Sequence, residues 1–339
     1  MAKVLVTGGM GYIGSHTIVD LINKGFEVIS IDNFVNSYPE TLDRIEKITR
    51  QRVANYNIDL CDKLGVKSVF KQHPDIAGVI HFAALIYVNE SVEQPIRYFD
   101  NNLNSLLNIM ACMNESRVNN LIFSSSCSVY GNATDLPVTE KTPFGQAECP
   151  YARTKQIGEQ MIVDYCKAYT ERNAVILRYF NPAGAHVSGQ LGEKPKQENT
   201  HLIPVITEVA SGHRASMTVF GVDYETRDGS CLRDYIHVMD LADAHSKAFQ
   251  YLLDEQNSRN CEVFNLGSGQ GVTVLEAINA FEKVTGISLN YRIGSKREGD
   301  VGAIYADTSK AKSVLNWVTS NDIESIMHTS WDWEQNKNA

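Results

Sequence analysis

The sequence predicts an α/β protein, with a doubly wound parallel sheet in its first half and a smaller C-terminal mixed α/β lobe that binds substrate. Three observations carry this reading. Short apolar runs alternate with helical patterns, a glycine-rich turn joins the first strand to the first helix, and the regular alternation stops after Asn181.

The strands are read as "KVLVT", "EVISID", "ANYNID", "GVIHFA", "NLIFSSS" and "AVILRYF". Between them, "SHTIVDLINKG" has helical periodicity with Gly25 as its stop, and the stretch from Pro95 to about Ser116 reads as a longer helix. The segment "NPAGAHVSGQLGEKPKQENTHLIP" is rich in glycine, proline and polar residues, and leaves the carboxyl edge of the sheet, where ligands bind in this architecture. Shorter elements follow in "MTVFG", "RDYIHVMDLADAHSKAFQYLL" and "EVFNLGSG". The expected division is a nucleotide-binding domain over 1–181 and a substrate-binding lobe over 182–339, interleaved near the boundary.

Composition narrows the function. A chain of 339 residues, 43% hydrophobic, can bury a large globular core or two packed ones. A net charge of −9 with no long lysine or arginine block argues against a nucleic-acid groove or an anionic membrane surface, and favours a small-molecule site. Seven scattered cysteines without a Cys-x-x-Cys pair read as reduced thiols of a cytoplasmic protein. The histidines show no ligand spacing, so no metal is expected. The start "MAKVLVTGG" enters a strand at once, which leaves no room for a signal peptide, and no apolar run approaches the roughly 20 residues of a membrane span.

Three motifs carry chemistry. In "VTGGMGYIGSH", Gly9, Gly11 and Gly14 have Gly-x-Gly-x-x-Gly spacing and Gly8 adds a second register; such glycines let backbone N–H groups and a helix N-terminus approach a pyrophosphate. Asp32 ends the second strand, where an acid hydrogen-bonds an adenosine ribose and repels a 2′-phosphate, favouring NAD over NADP. "FSSSCSVYG" ends the fifth strand with Ser124, Ser125 and Ser126. "PYARTK" places Tyr151 and Lys155 four positions apart on one helix face. Bringing a phenol from a pKa of about 10 to near neutrality needs about 4 kcal/mol, the order that one cation about 4 Å away supplies at an effective dielectric near 20. Each motif alone also has an ordinary reading, as a glycine turn, a serine-capped turn or a chance pair. Their order along one sheet edge makes them a Rossmann-type dinucleotide site.

Together with "DNNLNS", "RYFNPAGAH", "RDYIHVMDLADAH" and "KREGD", these motifs make the chain, from about Val4 to Trp331, resemble the extended short-chain dehydrogenase/reductase family. Within it, the chain is similar to the sugar-nucleotide 4-epimerases. The resemblance implies bound NAD, a UDP-hexose substrate, inversion at C4 through a 4-keto sugar, and a cytoplasmic homodimer. Tyr151 would be the acid/base on the 4-hydroxyl, Lys155 would lower its pKa and bind the nicotinamide ribose, and Ser126 would hydrogen-bond the reacting oxygen. Cofactor contacts would come from Gly8, Gly11, Tyr12, Ile13, Gly14, Asp32, Asn33, Phe34, Asn36, Ser37, Asp59, Leu60, Phe82, Ala83, Asn101 and Phe180, together with Ser126, Tyr151 and Lys155. The nucleotide-sugar would be held by Asn181, His201, Leu202, Phe220, Arg233, Arg297 and Asp300, with Ile304 at the hexose gate.

The chain departs from the family pattern twice. Ile86 stands where the pattern "HFAGLKAV" has a lysine, and His201 where an asparagine is usual, so affinity is in question but reaction type is not. Two rivals are weaker. A nucleotide-sugar 4,6-dehydratase needs carboxylates for elimination, and its strand-end Thr-Asp-Glu is here Ser126-Cys127-Ser128. A catalytically silent NAD-binding protein would have no reason to keep tyrosine, lysine and serine together. A dual-specificity or UDP-N-acetylglucosamine 4-epimerase remains the alternative substrate reading.

Overall fold

The computed structural model describes residues 1–297 and 301–338, which form two compact units. The first comprises 1–131, 142–179 and 242–264; the second comprises 132–141, 180–241 and 265–339. The chain crosses between them at Tyr179/Phe180, next to the expected boundary, and also around 132–141 and 242–264. No described helix is long and apolar enough to cross a membrane.

In the first unit, strands β1 (Lys3–Thr7), β2 (Glu27–Ile31), β3 (Ala54–Tyr56), β4 (Ile76–His81), β5 (Asn120–Ser126) and β6 (Asn173–Tyr179) alternate with helices α1 (Tyr12–Asn23), α2 (Glu40–Thr49), α3 (Lys63–Gln72), α4 (Val88–Glu93), α5 (Pro95–Ser116) and α6 (Pro150–Ala168). The strand Cys261–Leu266 joins beside β6, giving the spatial order Cys261–Leu266, β6, β5, β4, β1, β2, β3. Pairings from β3 through to β6 are parallel. Helices cover such a sheet on both faces, so its strands read as apolar runs: Val4, Leu5 and Val6 of β1 and Val175, Ile176 and Leu177 of β6 are all inaccessible to solvent. Leu5, Ile29, Val79, Phe123 and Ile176 pack with Leu106, Ile109 and Ile162 of α5 and α6, each fully buried aliphatic chain contributing about 1.5–3 kcal/mol.

The strand order reverses between β1 and β4, so the carboxyl ends of these strands splay apart and open the crevice used by ligands in doubly wound sheets. Proline starts the two helices that matter most for the site. Pro95 and Pro150 occupy the first turn of α5 and α6, where a missing N–H costs nothing and a fixed φ favours the helix.

The second unit is built from short pairings. Asn181–Ala183 lies parallel to Tyr235–His237, Met217–Phe220 parallel to Tyr291–Gly294, and Leu232–Arg233 between Val272–Thr273 and Ala303–Ile304. Helix Val274–Thr285 is held by a reciprocal cap between Thr273 and Glu276. Its core gathers Ile203, Ile206, Val219, Tyr235, Phe281, Ile326 and Met327. After Ala183 the chain has no helix or strand until Leu202, as its glycine and proline content leads one to expect.

Candidate active site

The turn after β1 is shaped by atoms that leave no room for side chains. Gly8 has a φ of +68°, and a Cβ there would sit 2.8 Å from the Ala83 nitrogen. At Gly14 a Cβ would fall 2.2 Å from the Gly8 carbonyl oxygen. The turn closes by Gly11 N–H donating to that same carbonyl at 3.1 Å. Gly11 then starts α1 without a side-chain cap, so the helix presents its first-turn amides, at Tyr12, Ile13 and Gly14, at the carboxyl edge of the sheet. This cradle suits a pyrophosphate.

Asp32 lies at the end of β2 as a buried carboxylate. It accepts from Met10 N–H at 2.9 Å, Phe34 N–H at 2.8 Å and Ser37 Oγ at 2.7 Å. A carboxylate has about four acceptor positions, so one remains for a ribose hydroxyl. Phe34 adopts a left-handed φ of 58°, turning Asn33, Phe34, Asn36 and Ser37 around the acid. Asn33 Nδ2 donates to Asp59 at 3.2 Å, next to buried Leu60. Phe82 and Ala83 follow β4, their amides turned toward Thr7, and the Phe82 ring rests against His245 at 4.6 Å. The residues present therefore fit a dinucleotide. Ile86, on the same segment, is exposed.

At the ends of β5 and β6 lies the second group. Pro150 sets Tyr151 on the first turn of α6 and Lys155 one turn deeper, and the Cys149 sulfur caps the helix by accepting from Ala152 N–H at 3.4 Å. The Ser126 hydroxyl lies close enough to the Tyr151 phenol to lower its pKa, and accepts from Ser128 N–H at 3.2 Å. Lys155, 5% exposed, donates its Nζ to the Ser124 carbonyl at 2.6 Å and lies 5.8 Å from the centre of the Tyr151 ring. The protonation balance departs from the simple expectation. Burial pushes the Tyr151 phenol well above its usual range, with neighbouring Tyr179 adding to this and the Ser126 hydroxyl opposing it. Burial also lowers the Lys155 ammonium to about 8, against the pull of Glu159. The ammonium in this arrangement grips a backbone carbonyl rather than the phenol.

Several residues here escaped the sequence reading. Asn102, beside the expected Asn101, bridges Leu85 and the Thr154 hydroxyl, accepting from Leu85 N–H at 2.8 Å and donating to Thr154 Oγ at 3.1 Å. It ties the post-β4 segment to the helix of Tyr151. Tyr179 shares a hydrogen bond with the Ser124 hydroxyl, and burial raises its phenol to about 12. Glu159, one turn beyond Lys155, forms a buried ion pair with Arg178 at 2.6 Å. The Tyr-x-x-x-Lys-x-x-x-Glu spacing of α6 was the available signal for Glu159.

The second unit holds the expected nucleotide-sugar residues. Arg297 places its guanidinium 4.5 Å from the centre of the Phe220 ring. Arg233 and Ile304 are register partners on adjacent parallel strands, and the Ile304 side chain is buried. Asn181 joins the Asp234 carbonyl through its N–H at 2.9 Å and its Nδ2 at 3.2 Å, and Phe180 N–H donates to Leu266. Asp234, also missed, accepts from Ser268 N–H and Oγ, Gly269 N–H and Ala306 N–H, and so ties two segments, the turn at 268–269 and the chain at Ala306, to the residue after Arg233. His201 caps the helix beginning at Leu202 with its backbone only; its exposed ring reaches Glu193 at 3.2 Å, which raises its pKa. Asp300 lies outside the described residues.

Known proteins place this arrangement. A family model described as GDP-mannose 4,6 dehydratase matches residues 5–329. A UDP-glucose 4-epimerase of Bacillus subtilis is 44% identical over 331 residues, covering 98% of this chain and 96% of its own. The crystal structure of a UDP-glucose 4-epimerase from Stenotrophomonas maltophila, with bound NAD and formylated UDP-arabinopyranose, is 40% identical with a TM-score of 0.96, covering 100% of this chain and 99% of its own. That from Bifidobacterium longum, in complex with NAD+ and UDP, is 44% identical with a TM-score of 0.93, covering 99% of both chains. The chain belongs to the UDP-glucose 4-epimerase family, within the extended short-chain dehydrogenases/reductases.

Proposed function

We propose that this protein interconverts UDP-galactose and UDP-glucose by NAD-dependent inversion at C4, with Ser126, Tyr151 and Lys155 as its catalytic residues. The observation that carries the residue assignment is the buried Lys155, whose Nζ donates to the Ser124 carbonyl, two residues before Ser126, and lies 5.8 Å from the centre of the Tyr151 ring one helical turn away. The glycine turn and Asp32 would hold NAD, which when bound would supply the hydride acceptor and donor that oxidation and re-reduction at C4 require.

The chain's own residues manage the proton and the anchor. Tyr151 accepts the proton of the 4-hydroxyl and gives it back, while Ser126 holds the same oxygen by hydrogen bonding. Lys155 contributes positive charge that favours the phenolate over the buried phenol. Arg233 and Arg297 hold the diphosphate by forked hydrogen bonds, and the guanidinium stacked on Phe220 is already oriented. Inversion requires the hexose to turn while the nucleotide stays fixed, so firm anchoring and a roomy sugar pocket belong together.

The elimination chemistry of a 4,6-dehydratase finds no support at the strand end. Ser126, Cys127 and Ser128 follow one another there, and the Ser128 hydroxyl is buried, with no carboxylate in the triplet. We also propose a homodimer, because Ile96, Leu103 and Leu107 form one stripe on α5 and Ile96 is 83% exposed, a cost that a second copy removes. Seven free thiols suit the reducing cytoplasm.

The test is product analysis with UDP-galactose and no added cofactor. Turnover to UDP-glucose, with NAD released on denaturing the protein, is expected. Stoichiometric accumulation of free NADH would point to a net dehydrogenase.

A further inference from the structure

We propose that Glu159 is a positioning residue for this reaction, holding the ends of β5 and β6 against α6 and keeping a negative charge one helical turn from the Lys155 ammonium. The inference rests on the epimerase reading above.

Tyr151, Lys155 and Glu159 succeed one another at intervals of four on α6 and so share one face. Glu159, 2% exposed, receives Arg178 through Nε at 2.9 Å on one oxygen and Nη2 at 2.6 Å on the other, and also accepts from the Ser125 hydroxyl. Arg178 is itself buried; it donates to the Tyr130 hydroxyl at 3.1 Å and lies about 5 Å from the rings of Tyr130 and Phe144. A buried ion pair adds little net stability over an apolar replacement, because desolvation cancels most of the attraction; its best-attested use is to fix a register.

The register fixed here is that of the reacting groups. Ser125 pairs with Arg178 across β5 and β6, and Ser126 with Tyr179. Side chains alternate along a strand, so Ser125 and Arg178 stand on one face with Glu159, while Ser124 and Ser126 stand on the other. The two residues flanking Ser125 are those next to the catalytic pair, Ser124 with its carbonyl on Lys155 and Ser126 with its hydroxyl near enough to the Tyr151 phenol to lower its pKa. Clamping Ser125 to α6 therefore sets the depth of both contacts.

The groups around Lys155 leave Glu159 as its electrostatic support. From α6 come Tyr151 and Glu159, from β5 the Phe123 ring at 5.1 Å and the Ser124 carbonyl, and from β6 the phenol of Tyr179 and, bound to Glu159, Arg178. From β4 comes His81, which burial and the Lys155 charge push down to about 3, so it is neutral. Burial disfavours the Lys155 ammonium, and the opposing charge among these neighbours is Glu159.

The experiment measures kcat and KM for UDP-galactose from about pH 6 to about pH 10 in cofactor-retaining enzyme and in E159Q, E159D and E159Q/R178Q. Removing the carboxylate destabilises the ammonium, so the alkaline limb of kcat is expected to move down by about one pH unit in E159Q, a roughly tenfold loss on that limb, with KM within about twofold. E159D, which keeps the charge, should return the limb toward the parent. E159Q leaves Arg178 unpaired and can fail to fold; E159Q/R178Q removes both charges and must move the limb in the same direction, by less because the Arg178 cation goes with the carboxylate. An unmoved limb in folded E159Q/R178Q, or one pH-independent fall in kcat shared with E159D, would overturn the inference. Absence of epimerisation in the parent enzyme would instead overturn the functional reading.

Discussion

Lys155 donates to the Ser124 carbonyl at 2.6 Å, while the Tyr151 ring centre lies 5.8 Å from the same nitrogen. The pair that sequence spacing joins is thus linked through a strand end. Lys155 holds β5 in place, β5 presents Ser126, and the Ser126 hydroxyl lowers the pKa of the phenol. The lysine has two separable effects on the tyrosine, one through the serine strand and one through its charge.

Tyr151→Phe keeps the ring and removes the proton-carrying oxygen. It should lower kcat by about 10²–10⁴-fold, the usual worth of general acid/base catalysis, and leave UDP binding close to that of the parent. Steady-state kinetics with calorimetric UDP titration separates the two. A loss of less than about tenfold in kcat would move the acid/base role elsewhere.

Lys155→Met should lower the rate and shift the acid limb of the pH profile upward. The phenol is already raised by burial, and loss of a nearby cation raises it further, so the reactive phenolate forms only at higher pH. A pH profile of the parent's shape with a lower plateau would leave Lys155 only its contact with Ser124.

Gly14→Ala and Gly25→Ala form a contrasting pair. A methyl at Gly14 would press on the Gly8 carbonyl and the Gly9 backbone, and is expected to cost about 1–3 kcal/mol and to empty the dinucleotide site. At Gly25, φ is +86° and nothing lies within 4 Å, so only left-handed backbone strain of about 1–2 kcal/mol applies and NAD content should be unchanged. Thermal unfolding and the dinucleotide released by denaturation read both outcomes. Equal NAD content in the two variants would remove the glycine turn from the cofactor site.

Ile304→Tyr tests the sugar wall. Ile304 is buried beside Arg233, and isoleucine is smaller than tyrosine without its hydroxyl, so the parent should turn over UDP-N-acetylglucosamine measurably while preferring UDP-glucose and UDP-galactose. The bulkier residue should suppress the N-acetyl reaction selectively by about 10–200-fold. Equal loss of both activities would make Ile304 a core residue and not a gate.

The alternation of strands and helices, the glycine turn with Asp32, and the helices opened by Pro95 and Pro150 were legible because each is a short-range signal, written in periodicity or in a residue whose backbone geometry is its own. The one carboxyl edge of the sheet that bears the motifs also followed, since parallel strands joined by helices have few permitted arrangements. What the sequence left open are contacts between residues far apart in the chain: Asn102 with Leu85 and Thr154, Asp234 with Ser268 and Ala306, Glu159 with Ser125 and Arg178. Spacing put Lys155 on the same helix face as Tyr151, but its partner was decided by where β5 ends against α6, and the direction of the Tyr151 pKa by how much water packing removes. Desolvation depends on every atom around a group, and no local pattern of residues encodes it.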